Sequence, residues 1–121
     1  MSKIKLGKQE VIHFIGIGGI GMSGLAQIMK TMGFNVQGSD VNKNKNTENC
    51  KKLGVKILIG HKKKNINKVT IVVKSSAIMS NNTELLGAKK KNIPIYDRIE
   101  MLANIINLKK NIIVTGSHGK T

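Results

Sequence analysis

The chain has 121 residues, of which 21 are basic and 6 acidic, giving a formal net charge of +15, and it carries a single cysteine. That length suits one compact domain, and an apolar content of 40% is ordinary for a globular core. No apolar run reaches the ~20 residues of a membrane span, no apolar stretch follows the basic start Met1-Ser2-Lys3-Ile4-Lys5 as a signal peptide requires, and Cys50 alone closes no internal disulfide. No membrane partner is expected, and the expected setting is the reducing cytoplasm.

Short apolar runs alternate with longer amphipathic ones, the pattern of an α/β domain: a Rossmann-like open parallel sheet with helices on both faces. Val11 to Ile15 predicts a buried strand. Gly21 to Met32 predicts a helix, with Met22, Leu25, Met29 and Met32 at helical spacing. Asn35 to Ser39 predicts a second strand, Thr47 to Leu53 a short helix closed by Gly54, and Lys56 to Ile59 a third strand. Val69 to Ser75 predicts a fourth strand, and Asn82 to Lys91 a helix capped by Asn81 or Asn82. Ile93-Pro94-Ile95 predicts a short strand, placed at a sheet edge by its proline. Arg98 to Ile106 predicts a helix, Asn107 to Lys110 a polar linker, and Asn111 to Thr115 a further strand leading into Gly116-Ser117-His118-Gly119-Lys120-Thr121.

Two glycine-rich stretches carry chemistry. Gly16-Ile17-Gly18-Gly19-Ile20-Gly21 has G-x-G-x-x-G spacing between a predicted strand and a predicted helix. In such a loop the first glycine allows the tight turn, the second lets a diphosphate approach the backbone, and the third lets helix and sheet pack closely. Gly116 to Thr121 reads as a phosphate loop, with Lys120 placed for terminal phosphates and the Thr121 hydroxyl for Mg²⁺. It is irregular, because Val114 stands where the usual first glycine would fall, and the alternative to a phosphate loop is a Gly-Lys-rich tail.

Around the first loop, Asp40 ends the second strand where a carboxylate contacts a ribose hydroxyl, or where an aspartate serves a turn. Ser75 and Ser76 follow the fourth strand, positioned for a base or sugar, or as a hydroxyl-capped loop. His61 follows the third strand in a strand-end loop and is a better ligand candidate than His13, which sits inside the first strand as a core histidine. No histidine–cysteine group has metal-ligand spacing and no nucleophile–base pair is visible. Arginine occurs once among the basic residues, and only Phe14, Phe34 and Tyr96 could stack on bases, so the lysines read as solvated surface and no specific nucleic-acid partner is expected.

His13-Phe14-Ile15-Gly16-Ile17-Gly18-Gly19-Ile20-Gly21-Met22-Ser23-Gly24-Leu25-Ala26 closely resembles the opening of the Mur ligases, in particular the L-alanine-adding branch. The resemblance continues through Gly38-Ser39-Asp40, Gly60-His61, Ser75-Ser76-Ala77-Ile78, Ile93-Pro94-Ile95 and Arg98-Ile99-Glu100-Met101-Leu102 to the terminal Gly116–Thr121 loop. It implies an ATP- and Mg²⁺-dependent ligase of cell-wall precursor synthesis, with UDP-N-acetylmuramate and L-alanine as substrates and an acyl phosphate as intermediate. By position it implies that Gly16, Gly18, Gly19, Ile20, Gly21 and Met22 hold the UDP diphosphate, with Asp40, His61, Ser75 and Ser76 near the uridine. It implies that Gly116, Ser117, His118, Gly119, Lys120 and Thr121 hold ATP, with Lys120 catalytic and Thr121 on Mg²⁺. Residues 1–107 are then expected to form the UDP-substrate domain and 108–121 the linker, first strand and phosphate loop of a truncated ATP domain, inactive by itself. Two other readings stay open: a nicotinamide-binding Rossmann module of a regulatory protein or dehydrogenase, and a basic nucleic-acid-binding protein.

Overall fold

The computed structural model describes residues 4–117. Five strands form one parallel sheet: β1 (Val11–Ile15), β2 (Asn35–Asp40), β3 (Lys56–Ile59), β4 (Ile71–Lys74) and β5 (Ile95–Asp97), in the order β3-β2-β1-β4-β5. Four helices connect and flank them: α1 (Ile20–Thr31), α2 (Lys45–Lys52), α3 (Thr83–Lys90) and α4 (Arg98–Ser117), with a single 3₁₀ turn at Lys63–Ile66.

Each central strand is buried on both faces, as parallel sheets require. One face of β1 and β4 sends Ile12, Phe14, Ile71 and Val73 against Met22, Leu25, Ala26 and Met29 of α1, Cys50 of α2, and Met101 and Ile105 of α4. The other face sends Ile15 and Val72 against Leu85 and Ala88 of α3 and Ile66 of the 3₁₀ turn. The expected α/β architecture with helices on both faces is therefore the observed one.

Local chemistry sets the element ends. Asn82 caps α3, its side chain accepting from the N–H groups of Glu84 (2.9 Å) and Leu85 (3.1 Å). Helix α2 begins at Lys45, two residues before the expected Thr47. Asn44 caps it reciprocally, accepting from the Thr47 N–H at 2.8 Å while its own N–H donates to Thr47 Oγ1 at 2.9 Å. The predicted strand around Pro94 lies two residues later, at Ile95–Asp97, and does occupy a sheet edge. Pro94 contributes only its carbonyl, which accepts from the Val72 N–H at 2.9 Å.

One expectation is corrected. Asn107 to Lys110 and Asn111 to Thr115 are not a linker and a strand: α4 runs unbroken from Arg98 through Ser117. A strand needs a neighbour for its N–H and C=O groups, whereas a helix satisfies them within the segment. The apolar run Ile112-Ile113-Val114 carries no periodicity that separates the two, and among the described residues no strand of the sheet pairs beyond β5. Gly116 and Ser117 accordingly lie in the last turn of α4. His118, Gly119, Lys120 and Thr121 lie outside the described residues.

Candidate functional site

The chain runs β1-β2-β3 toward one edge and then returns to place β4 and β5 on the other side of β1. The switch point between β1 and β4 opens a crevice at the strand C-termini, where ligands of open α/β sheets bind. The Gly16–Gly21 loop sits there. Gly16 has φ +86°, a left-handed conformation that a side chain would strain, and Ser75 and Ile78 from the β4 loop pack over it. Helix α1 then starts with Gly19 as its cap, no side-chain hydrogen bond on its first N–H groups and no acidic residue in its first turn. Such a helix start offers N–H donors and a positive dipole end to an anion. Ile20 is exposed, while the Met22 side chain is buried in the core, so Met22 faces the loop only through its backbone.

The Gly18 peptide is held on both sides. Its N–H donates to Asp40 Oδ2 at 2.7 Å, and its carbonyl accepts from Asn44 Nδ2 (3.0 Å) and Asn46 Nδ2 (2.9 Å). Asp40 Oδ1 accepts from the Val41 N–H at 2.7 Å. Asp40 thus braces the glycine loop from the end of β2. A β-carbon added at Gly18 would lie 2.7 Å from Asp40 Oδ2.

On the β4–β5 side, Lys74, Ser76, Asp97, Arg98 and Ile99 line a cleft of about 230 Å³. Arg98 starts α4, and its guanidinium lies against Gly21: a β-carbon there would meet Arg98 Cδ and Nε at 3.0 Å. Arg98 forms no ion pair among the described residues. The sole arginine of the chain therefore stands beside the first turn of α1. Ser75 turns its Oγ back to accept from the Ala77 N–H at 3.1 Å, whereas Ser76 faces the cleft.

On the β2–β3 side the polar side chains converge below the surface. His13, Ser39 and Glu84 are fully buried. Glu84 Oε1 accepts from His13 Nε2 (2.8 Å) and Ser39 Oγ (2.6 Å), and Oε2 accepts from Asn65 Nδ2 (2.6 Å) and the Lys62 N–H (3.1 Å). Burial pushes this carboxyl up, but the hydrogen bonds from His13 and Ser39, the electrostatic attraction of His13 and the hydrogen bond from Asn65 outweigh it and hold the group at about 2. Gln37 Nε2 donates to the Asn65 carbonyl (2.9 Å), so its other hydrogen meets His13 Nδ1 at 2.8 Å, and His13 keeps its proton on Nε2 for Glu84. His61 joins at the rim, its Nδ1 2.9 Å from Ser39 Oγ. His13 is thus a satisfied core residue, as its place within a strand implied, and His61 is the histidine at the rim, just beyond the C-terminal end of β3. Cys50 is buried, its Sγ 3.7 Å from the Ser23 carbonyl, and burial raises its pKa; it serves packing.

This arrangement agrees with what the chain resembles. A family model described as the Mur ligase family, catalytic domain, matches residues 11–110. The chain belongs to the Mur ligase family. Among its relatives, UDP-N-acetylmuramate–L-alanine ligase of Pelagibacter ubique is 71% identical over 119 residues, covering 98% of this chain and 26% of the relative. The corresponding ligase of Aquifex aeolicus is 55% identical over 90% of this chain and 24% of the relative. The crystal structure of UDP-N-acetylmuramate-alanine ligase from Thermotoga maritima superposes with a TM-score of 0.78 at 33% identity, over 83% of this chain and 23% of that one. The chain spans about a quarter of the length of these Mur ligases.

Within this Mur ligase chain, the structure brings Gly16–Gly21, Asp40, Ser76 and His61 to one end of the sheet. It adds residues that spacing did not single out: Arg98, Asn44 and Asn46 around the loop, and Glu84 with Gln37 and Asn65 beneath His61. Arg98 could have been noticed as the only arginine among twenty lysines. Glu84 sits in an amphipathic helix where a carboxylate in the first turn reads as an ordinary helix-start residue.

Proposed function

We propose that this chain is the UDP-substrate-binding part of an ATP-dependent ligase that joins L-alanine to UDP-N-acetylmuramate in cell-wall precursor synthesis. The observation that carries the reading is the uncapped, acid-free start of α1 behind a glycine loop at the sheet's switch point. In this reading the diphosphate lies on the N–H groups of Ile20, Gly21 and Met22, behind the turn that the Gly19 N–H closes onto the Gly16 carbonyl, with Arg98 closing over it from α4. Asp40 braces the loop and faces the ribose, and His61, Ser75 and Ser76 border the uridine. The contribution to catalysis is positional: fixing the nucleotide end carries the distant reacting carboxylate to a defined place. The net charge of +15 draws such an anionic substrate toward the crevice.

ATP would supply the phosphoryl group that activates the carboxylate of such a ligation, and with it the driving force, and Mg²⁺ the charge neutralisation. Both are assigned to Gly116–Thr121, with Lys120 catalytic and Thr121 on the metal, and that assignment rests on sequence resemblance. The division into residues 1–107 and 108–121 is a boundary of sequence resemblance that α4 crosses without a break; it and a cytoplasmic location rest on the same ground.

Thermal unfolding of the chain with added nucleotide tests the reading. UDP-N-acetylmuramate or UDP should raise the midpoint more than NAD at equal concentration. Greater stabilisation by NAD would overturn the assignment in favour of a nicotinamide-binding module.

A further inference from the structure

Every proton in the buried cluster beneath His61 has one consistent place. Glu84 is acceptor-only when ionised, so the 2.6 Å contact with Ser39 Oγ requires the hydroxyl proton to lie between them. Ser39 has no second proton. Its 2.9 Å contact with His61 Nδ1 must then be accepted by Oγ, which puts the histidine proton on Nδ1. The Glu84 Oε1 atom, 3.5 Å from the same nitrogen, favours that placement as well. The form is the opposite of the one that predominates for histidine free in water. It leaves His61 Nε2 with a bare lone pair and no partner among the described residues, and because no buried side-chain nitrogen or oxygen lacks one, Nε2 opens to solvent.

His61 stands two residues beyond the end of β3, beside Asp40 at the end of β2, where Gly60 donates its N–H to the Asp40 carbonyl at 2.7 Å. Gly60 has φ +94°, so the turn that aims His61 is built for glycine.

We propose that Glu84 is a positioning residue that, through Ser39, holds His61 as a hydrogen-bond acceptor, so that the site selects a pyrimidine whose ring N3 carries a proton. This inference rests on the UDP reading above and narrows it. Uracil carries such a donor at its imide N3; cytosine has a lone pair at the same ring position and would set it against the one on Nε2. Leaving two acceptors face to face in a desolvated contact costs about tenfold in affinity or more.

Two measurements on the 121-residue chain decide it. Nitrogen-15 NMR of histidine-labelled protein above the imidazole titration range should show His61 Nδ1 as the protonated ring nitrogen and Nε2 as the bare one. Ser39→Ala should turn that signature into a mixture of forms. In parallel, titrations with UDP and CDP should show UDP binding about tenfold tighter or more, with the ratio shrinking in Ser39→Ala while both proteins keep the same far-ultraviolet circular dichroism. A proton on Nε2 in the unmodified chain, or CDP bound as tightly as UDP, overturns this inference and leaves the UDP reading standing. Binding of neither nucleotide overturns both.

Discussion

Replacing Glu84 by glutamine tests the buried cluster most directly, because the side chain keeps its shape and loses only charge and one acceptor. Its amide NH₂ must occupy one of two positions. Placed at Oε1, it faces the N–H of His13, whose orientation is locked by Gln37 and the Asn65 carbonyl. Placed at Oε2, it faces the backbone N–H of Lys62, which cannot turn away. Either way one fixed donor confronts another, and the remaining bonds lose their charged acceptor. A hydrogen bond to a charged group contributes about 1.5–3 kcal/mol, and a buried donor left unpaired costs about 1–3 kcal/mol. The lowering of the Glu84 pKa from 4.5 to about 2, which has the same hydrogen bonds among its causes, is of the same order, about 3 kcal/mol. Glu84→Gln should therefore cost about 3 kcal/mol near neutral pH, a large part of the roughly 5–15 kcal/mol that holds a domain folded. Urea unfolding followed by circular dichroism measures it: the midpoint should fall with little change in slope. The pH dependence carries the same signature. Because the folded pKa is the lower one, the stabilisation is fully present above about 4.5 and is lost as pH falls toward about 2. The unmodified chain should weaken across that window, and the glutamine variant should lack that component. A loss below about 1 kcal/mol, or the same acid profile in both proteins, would refute a central role for Glu84.

The loop and its surroundings give three further expectations. Gly18→Val places a β-carbon 2.7 Å from Asp40 Oδ2 and fills the path of the diphosphate, so UDP affinity measured by calorimetry should fall at least ~10-fold, with the far-ultraviolet spectrum retained. Unchanged affinity would make the loop a structural turn only. Arg98→Ala should weaken UDP about tenfold through loss of a charged hydrogen bond, while uridine, which has no phosphate, should bind both proteins alike; equal weakening of the two would show that Arg98 acts through packing. Duplex DNA should bind through the lysines without sequence preference, with an affinity that drops steeply as salt rises; tight selective binding at physiological salt would point instead to a nucleic-acid function.

Periodicity and turn chemistry in the sequence determined the architecture. The apolar runs at Val11–Ile15 and Ile71–Lys74, the α1 pattern of Met22, Leu25 and Met29, the Asn82 cap and the Pro94 edge are local properties, and each lies within a few residues of the element it specifies. The glycine loop was legible for the same reason, since its strand–turn–helix context is contiguous. The apolar run from Ile112 to Val114 was not, because strand and helix both accept it and only the presence of a pairing partner separates them. Tertiary structure alone decided which polar groups share a site. Glu84 meets His13 across 71 positions and Ser39 across 45, and Arg98 reaches Gly21 only because α4 packs beside α1. Sequence spacing carries no record of such meetings, because they depend on strand order and on which face of a helix the sheet buries. The proton on His61 follows from that convergence, one bond further on.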